Sequence, residues 1–238
     1  MTKKPDEIDK LRRVAALTDE VFAAIVPLIR QDVTQGELEN EIRRQGFSRG
    51  ADDVSFPPAV IFTKADSPPS AEAFTYPREQ GLVSGCSIAF DFGFVMEGFC
   101  SDFGRSLYFG PAPDHAQDAY RALQRAVTQT VAGIRPGVTR IRDLYPAVEA
   151  SLDTAGYGDY LRARLTDKIL GHCIGRTVHE EPWLRPDSDQ TLEPGMVFAI
   201  EPKLWRTGQY YLRVEDIVLV GRDEAEFLTN ADRTVFEL

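Results

Sequence analysis

The chain has 238 residues, of which 43% are hydrophobic and 27% charged, and its formal net charge is −10. This composition is ordinary for a soluble globular protein, and the length allows a substantial core in one large domain or two small ones. The negative charge argues against nucleic-acid binding, which needs a basic surface, and the longest apolar run, Val21 to Ile29, is about half as long as a membrane span. We therefore expect neither a nucleic-acid nor a membrane partner.

The N-terminal region is predicted to be helical. Apolar residues at near-helical spacing predict an amphipathic helix over residues 6–30. The segment Thr34 to Glu37 has the pattern of a capping box, which predicts a second helix from Glu37 to about Arg44. Gly46 is the expected C-terminal stop of that helix.

The remaining chain is predicted to mix strands and helices. A loop rich in Pro and Ser is expected near residues 67–70. Strands are predicted around 54–62, 87–95, 99–109, 196–203, 211–220 and 225–229, and helices at 114–134 and 140–154. Because no low-complexity linker divides the chain, we predict a single domain over residues 1–238.

The chain contains a faint internal repeat. Residues 29–34 read Ile-Arg-Gln-Asp-Val-Thr and residues 134–139 read Ile-Arg-Pro-Gly-Val-Thr, and each segment lies between predicted helices. A chance match is one interpretation of six residues. Duplication is the other, and it predicts two similar halves with a site between them.

The cysteines and the N-terminus bear on location. Cys86, Cys100 and Cys173 make an odd number at no disulfide or metal-site spacing. The first residues are polar and then acidic, unlike a secretory signal. Both observations favour the reducing cytoplasm.

Two aspartates flank a predicted hairpin. Asp91 and Asp102 lie on either side of a likely tight turn at Glu97-Gly98. If that turn is centred between Met96 and Glu97, with a bulge beside Gly98, the two carboxylates lie opposite one another and repel unless a cation lies between them. The alternative is a surface hairpin with two solvated aspartates.

Further ligand types follow in the second half. His172 lies in an apolar setting, seven residues before His179, and Glu201 and Glu215 are predicted within apolar strands, where carboxylates are rarely buried without a partner. Taken singly, a core histidine and outward-facing acids remain alternatives. Together with the two aspartates, these residues supply the oxygen-rich, nitrogen-poor set that two neighbouring divalent cations require.

These motifs resemble, in order, those of the pita-bread metallopeptidases, which include methionine aminopeptidases, Xaa-Pro aminopeptidases, prolidases and creatinases. The matching strings are Asp91-Phe92-Gly93, Ser101-Asp102, the segment 171–182, Glu201-Pro202 and Arg213-Val214-Glu215-Asp216. The last string is closest to the Xaa-Pro branch. The resemblance implies an α+β, pita-bread fold of two pseudo-twofold halves that share a curved antiparallel sheet, with helices outside. Longer relatives carry an extra N-terminal domain, for which we expect no room here.

The resemblance also implies roles. Asp91 would bind one metal, His172 and Glu201 the other, and Asp102 and Glu215 would bridge both. A metal-bridging hydroxide would attack the substrate carbonyl while Glu201 shuttles the proton. Arg213 would orient the carboxylates, and His179 would stabilise the developing oxyanion.

The implied cofactors are two divalent ions per chain. Mn²⁺ is the expected metal, and Co²⁺, Zn²⁺ and Fe²⁺ are chemically compatible. The implied partner is a short peptide or small amide substrate, and a homodimer is compatible with the resemblance. The reaction expected is removal of an N-terminal residue or hydrolysis of a dipeptide by an aminopeptidase or dipeptidase of Xaa-Pro type.

Three departures from the family pattern predict altered substrate handling. Relatives usually place a substrate-contacting histidine upstream of the first aspartate, where this chain has Phe74-Thr75-Tyr76. They usually have Thr at position 104 and Gly at 173, where this chain has Gly104 and Cys173. Two alternatives to a peptidase therefore stay open: a non-peptide C–N hydrolase of creatinase type, and a catalytically weak binding module on the same fold.

Overall fold

The computed structural model describes residues 2–64, 76–233 and 236–238. The α-helices of these ranges are α1 (Pro5–Ile25), α2 (Gln35–Ser48), α3 (Asp114–Ala132), α4 (Leu144–Thr154) and α5 (Gly158–Arg164). The strands are β1 (Asp53–Val54), β2 (Ala59–Lys64), β3 (Cys86–Phe92), β4 (Phe94–Met96), β5 (Phe99–Cys100), β6 (Phe103–Phe109), β7 (Gly171–Cys173), β8 (Glu180–Trp183), β9 (Val197–Ile200), β10 (Lys203–Arg206), β11 (Tyr210–Arg213), β12 (Asp216–Val220) and β13 (Ala225–Phe227). The loop predicted near 67–70 lies outside the described residues.

The strands form antiparallel sheets. Five strands are ordered β13-β12-β9-β7-β8, three are ordered β2-β3-β6, three are ordered β1-β4-β5, and β10 and β11 form a two-stranded ribbon. An isolated bridge between Gly104 and Glu215 joins the first half of the chain to the second. The predicted mixture of helices with antiparallel sheet is confirmed.

Each half of the chain has its own core. One cluster of buried residues joins α1 and α2 to β2, β3 and β6, and another joins α3 and α4 to the strands of the second half. Within the six-residue repeat the equivalence is partial. Ile29 and Ile134 are both buried, whereas Val33 is buried and Val138 is 68% exposed.

The hairpin register differs from the prediction by one residue. Met96 pairs with Phe99, and Glu97 and Gly98 both have positive φ, which is a two-residue type I′ turn without a bulge. The turn is therefore centred between Glu97 and Gly98. As a result Asp91 faces Gly104, and Asp102 lies diagonally beside Asp91 rather than opposite it.

Helix boundaries were predicted less well than helix positions. The helix expected over 6–30 ends at Ile25 and continues as a 3₁₀ turn, Val26–Leu28, because Pro27 has no N–H to donate. The capping box of Thr34 and Glu37 is confirmed, but α2 continues past Gly46 to Ser48. Gly46 is no stop: a side chain there would overlap the ring of Phe94.

Several short elements were not predicted. α5 has two turns and packs against β10, while β7 and β8 are too short for a periodic pattern. The strand expected over 211–220 is divided at Val214 and Glu215. Among the described residues, none of the helices combines the length and apolarity needed to cross a bilayer.

Candidate active site

One cavity of about 360 Å³ gathers all seven residues singled out in the sequence. It lies where the two halves meet, beside the bridge between Gly104 and Glu215. Its lining residues are Phe56, Asp91, Asp102, His172, His179, Glu201, Lys203, Arg213 and Glu215.

A long hairpin of the second half forces two of the carboxylates together. Ile200 pairs with Asp216 and Lys203 pairs with Arg213, so the same register places Glu201 opposite Glu215. Both glutamates were expected within strands. Instead Glu201 directly follows β9, and Glu215 lies between β11 and β12. An isolated bridge pairs Glu215 with Gly104 on β6. Both carboxylates line the cavity.

The first half supplies the two aspartates and a glycine that leaves room for side chains of the second half. Asp91 on β3 pairs with Gly104 on β6, and Asp102 directly precedes β6. A Cβ at position 104 would lie 2.5 Å from Arg213 Nε and 2.9 Å from Glu215 Oε2. Gly104 therefore lets the arginine and the glutamate approach β6 more closely than the usual threonine would allow.

The five predicted ligands fall into overlapping groups. Within each group, one ligand atom of every member lies within 4.8 Å of the others. Among the described residues the groups are Asp102 with His172 and His179, His172 with Glu201 and Glu215, and Asp91 with Asp102 and Glu215. Asp102 and Glu215 each belong to two groups, as expected of the two residues predicted to bridge the metals, and His172 belongs to two because it also lies near His179.

His172 presents one nitrogen to the carboxylates. Its Nε2 lies 3.3 Å from Asp102 Oδ2 and 3.8 Å from Glu201 Oε1. Its Nδ1 lies 3.1 Å from the carbonyl oxygen of Cys173, which favours the tautomer that carries the proton on Nδ1. The lone pair on Nε2 then faces the acids, in the orientation that a metal-binding histidine adopts.

The two most deeply buried carboxylates resist ionisation in the protein alone. Asp102 is 3% exposed and Glu215 is 1% exposed. Burial raises the pKa of Asp102 well above its usual value, and repulsion from Asp91 and Glu201 adds to it. Burial, followed by repulsion from Asp102, likewise raises the pKa of Glu215. Crowded acids beside an imidazole nitrogen fit divalent cations, which remove the repulsion.

Arg213 holds the carboxylates in place from one side. Its guanidinium hydrogen-bonds Asp91 and Glu215, and its Nη2 lies 3.4 Å from Glu201 Oε2. Burial alone would lower the pKa of Arg213, but the surrounding acids raise it well above its ordinary value. These contacts agree with the orienting role that the resemblance implies.

Lys203 is a site residue that the sequence interpretation missed. Its ammonium group hydrogen-bonds Glu201 Oε2. Burial and Arg213 would lower the pKa of Lys203, but Glu201, Tyr211 and Glu215 together raise it. In turn, burial would raise the pKa of Glu201, but Lys203 and Arg213 lower it. The spacing of Lys203, two residues from Glu201, was the sequence signal that could have identified it, because residues two apart in an extended segment share one face.

His179 lies at the exposed rim of the cavity. Its ring centroid is 4.4 Å from that of His172, and it stacks on Trp183 at 5.2 Å with an interplanar angle of 27°. Burial, then repulsion from His172, lowers the pKa of His179, so the ring is neutral at neutral pH and has one N–H to donate. Trp183 and the lining residue Phe56 were also missed, because nothing in their local sequence marks them.

The departures from the family pattern have different outcomes. Phe74 and Thr75 lie outside the described residues, whereas Tyr76 packs against Phe62 and donates its hydroxyl to the carbonyl of Gly81. Tyr76 is therefore directed into the core and is not part of the cavity wall. Cys173 is fully buried, and burial raises its thiol pKa to about 12, so it stays protonated.

The chain is similar in sequence and in fold to known proteins. Residues 9–222 match the model of metallopeptidase family M24. An uncharacterized peptidase of Staphylococcus aureus (strain MRSA252) is 31% identical over 231 residues, which is 97% of this chain and 63% of that protein. A prolidase from Thermococcus sibiricus superposes with a TM-score of 0.88 at 30% identity, covering 100% of this chain and 62% of that one.

A third similar protein is an Xaa-Pro dipeptidase from Bacillus anthracis. It has a TM-score of 0.86 at 28% identity and covers 100% of this chain and 64% of that one. This chain therefore spans less than two thirds of the length of each of these three relatives. With its order of motifs and its paired antiparallel sheets, the chain belongs to metallopeptidase family M24 and has the pita-bread fold.

Proposed function

We propose that this chain is a dinuclear-metal hydrolase of Xaa-Pro type, which removes an N-terminal residue or cleaves a dipeptide. The observation that carries the proposal is the convergence of Asp91, Asp102, His172, Glu201 and Glu215 on one cavity, although they are dispersed along the chain. The names of the similar prolidase and Xaa-Pro dipeptidase support the same reaction class.

In this proposal the ligand groups hold two ions. Asp91, Asp102 and Glu215 would hold one, and His172, Glu201 and Glu215 the other, with Asp102 also beside His172. Mn²⁺ is the proposed metal because oxygen ligands predominate, and Co²⁺, Zn²⁺ and Fe²⁺ are compatible. When bound, such ions act as Lewis acids towards the scissile carbonyl and supply a water nucleophile at neutral pH.

The remaining chemistry belongs to the side chains. Glu201 is unprotonated because Lys203 and Arg213 lower its pKa, so its carboxylate can accept the proton of the attacking water and pass it to the leaving amine. His179, at the rim, would donate its N–H to the carbonyl oxygen as negative charge develops there. Arg213 would keep the carboxylates aligned through its hydrogen bonds.

The test is hydrolysis by protein loaded with each metal in turn. Metal-depleted protein is incubated with Mn²⁺, Co²⁺, Zn²⁺ or Fe²⁺ and assayed against Xaa-Pro dipeptides, Xaa-Pro tripeptides and small non-peptide amides. We expect cleavage of an Xaa-Pro substrate, bound metal close to two ions per chain, and loss of both in Asp102→Asn. Cleavage of small amides alone would instead establish the creatinase-type alternative. Metal binding with no cleavage would establish a binding module.

Single-domain organisation, a cytoplasmic location and a homodimer remain proposals from the sequence. The three cysteines are all buried and form no disulfide, which supports a reducing compartment. Size-exclusion chromatography with light scattering would decide the oligomeric state.

A further inference from the structure

Lys203 lies inside the acidic cavity, and the proposed reaction assigns it no task. Its side chain is 15% exposed and its ammonium group bonds Glu201. On the two-stranded ribbon it stands directly opposite Arg213. Like charges in directly opposed positions destabilise a ribbon. Anions near the pair offset this repulsion, so the pair indicates a site that binds anions.

The side chains of Arg213 and Lys203 contact different numbers of carboxylates. Arg213 contacts three carboxylates, those of Asp91, Glu201 and Glu215. An ammonium group has three N–H donors, and Glu201 accepts from Lys203. Since Lys203 also lines the cavity, it has donor capacity to offer a molecule bound there.

Lys203 does not take the place of a metal ion. Lys203 and Arg213 both approach Oε2 of Glu201, whereas His172 faces Oε1 at 3.8 Å. The oxygen on the side of the histidine ligand is therefore left for a cation. The ammonium group stands on the opposite side of the Glu201 carboxylate.

Charge indicates what the ammonium group would bind. With metal bound, the four proposed ligand carboxylates would carry four negative charges, and Lys203 and Arg213 would contribute two positive ones. Two divalent ions would add four more, which leaves an excess of two positive charges before water and substrate enter. An anionic substrate reduces that excess in a poorly solvated site, where charge imbalance is costly.

We propose that Lys203 is a specificity-determining residue that binds a carboxylate of the substrate. This inference rests on the proposed function. The cavity, at about 360 Å³, is near the lower end of the range for small-molecule pockets, about 300–1,000 Å³. The carboxylate of a dipeptide lies one residue from the scissile bond, so a small cavity with a cation in its wall selects dipeptides over longer chains and amides.

The experiment compares a free acid with its amide. Metal-loaded wild type, Lys203→Met, Lys203→Arg and the control Lys64→Met, at an exposed position at the far end of β2, are assayed on alanyl-proline and alanyl-prolinamide. We expect wild type to prefer the acid. Lys203→Met should reduce the ratio of the two kcat/KM values by about 10- to 100-fold, mainly through the KM for the acid. Lys203→Arg should retain part of the preference, and Lys64→Met all of it.

A second arm identifies the source of the carboxylate. If Lys203 binds an acidic side chain rather than the C-terminus, wild type will prefer glutamyl-prolinamide over alanyl-prolinamide, and Lys203→Met will lose that preference. Either pattern supports carboxylate binding by Lys203. Wild type that shows neither preference, or a Lys203→Met variant that keeps the wild-type preference unchanged, would overturn it.

Two further measurements keep the outcomes distinct. Bound metal is measured by mass spectrometry, and a higher metal content in Lys203→Met than in wild type would mean that Lys203 is a stand-in cation, against the proposal. If metal-loaded wild type cleaves no peptide, the proposed function fails. Binding of proline and prolinamide by titration calorimetry then tests Lys203 by itself: proline binding by wild type but not by Lys203→Met supports the inference, and equal binding by both proteins overturns it.

Discussion

In the proposed mechanism, Glu201 both binds metal and transfers the proton. Replacing it with glutamine keeps its size but removes the proton acceptor and weakens one ligand. We expect turnover of Xaa-Pro substrates by Glu201→Gln to fall about 10²- to 10⁴-fold, measured as kcat at a determined metal content. Near-wild-type turnover would rule out the assigned role of Glu201.

His179 tests the division between ligands and substrate contacts. It can reach Asp102 and His172 closely enough to share an ion, yet it lies exposed at the rim. If it only contacts substrate, His179→Ala should lower kcat by about 10²- to 10³-fold with bound metal unchanged. A drop in metal content would instead make it a ligand.

Gly104 carries a prediction about close approach. A methyl group there would press on Arg213 Nε and Glu215 Oε2, so Gly104→Ala should displace both side chains and weaken metal binding, by about 10-fold if one charged hydrogen bond is lost. Calorimetric titration with Mn²⁺ measures this. Gly36→Ala is the matched control because a Cβ there meets nothing within 4 Å. Unchanged affinity in Gly104→Ala would show that the site has room for a larger residue.

At the scale of elements, α1 is tied to the C-terminal segment by one carboxylate. Asp19 accepts hydrogen bonds from the backbone N–H groups of Asn230, at 2.6 Å, and Ala231, at 2.9 Å. Burial raises the pKa of Asp19 from 3.8 to about 6, although both hydrogen bonds oppose the shift. The folded protein therefore binds this proton more tightly than the unfolded chain does.

The raised pKa of Asp19 determines how the stability of the protein depends on pH. The stabilising contribution of protonated Asp19 is fully present below about pH 4 and is lost as pH rises through about 6, a change on the order of 2 kcal/mol. We expect the free energy of unfolding of wild type, relative to Asp19→Asn, to decrease over this interval. Urea denaturation at pH 4, 5, 6 and 7 measures it, and a difference that is constant with pH would contradict the assignment.

At the scale of the whole molecule, the proposed metal ligands come from both halves of the chain. Asp91 and Asp102 come from the first half, and His172, Glu201 and Glu215 come from the second. Since the ligand set exists only in the folded chain, bound ions stabilise the folded state by mass action.

Removing the metal should therefore destabilise the whole chain. At a free Mn²⁺ concentration of 100 times Kd the gain is about 2.7 kcal/mol, which corresponds to a Tm rise of about 5 to 10 °C. Calorimetric scans over a series of Mn²⁺ concentrations check this. Asp102→Asn should flatten the dependence of Tm on Mn²⁺, and an equal slope in that variant would place the stabilising ion elsewhere.

The sequence by itself indicated the candidate metal ligands and much of the local structure. The order Asp91, Asp102, His172, Glu201, Glu215 was readable because ligand type depends on side-chain chemistry. The capping box at Thr34 and the turn at Glu97-Gly98 were readable too, because their hydrogen bonds and dihedral preferences involve only neighbouring residues.

Only the tertiary structure decided the features that depend on distant contacts. Position 46 requires glycine because the ring of Phe94 packs against it, and Asp91 faces Gly104 because β3 and β6 pair in that register. Lys203 enters the cavity because the ribbon pairs it with Arg213. In each case the decisive partner lies far away along the chain, and local patterns carry no information about such partners.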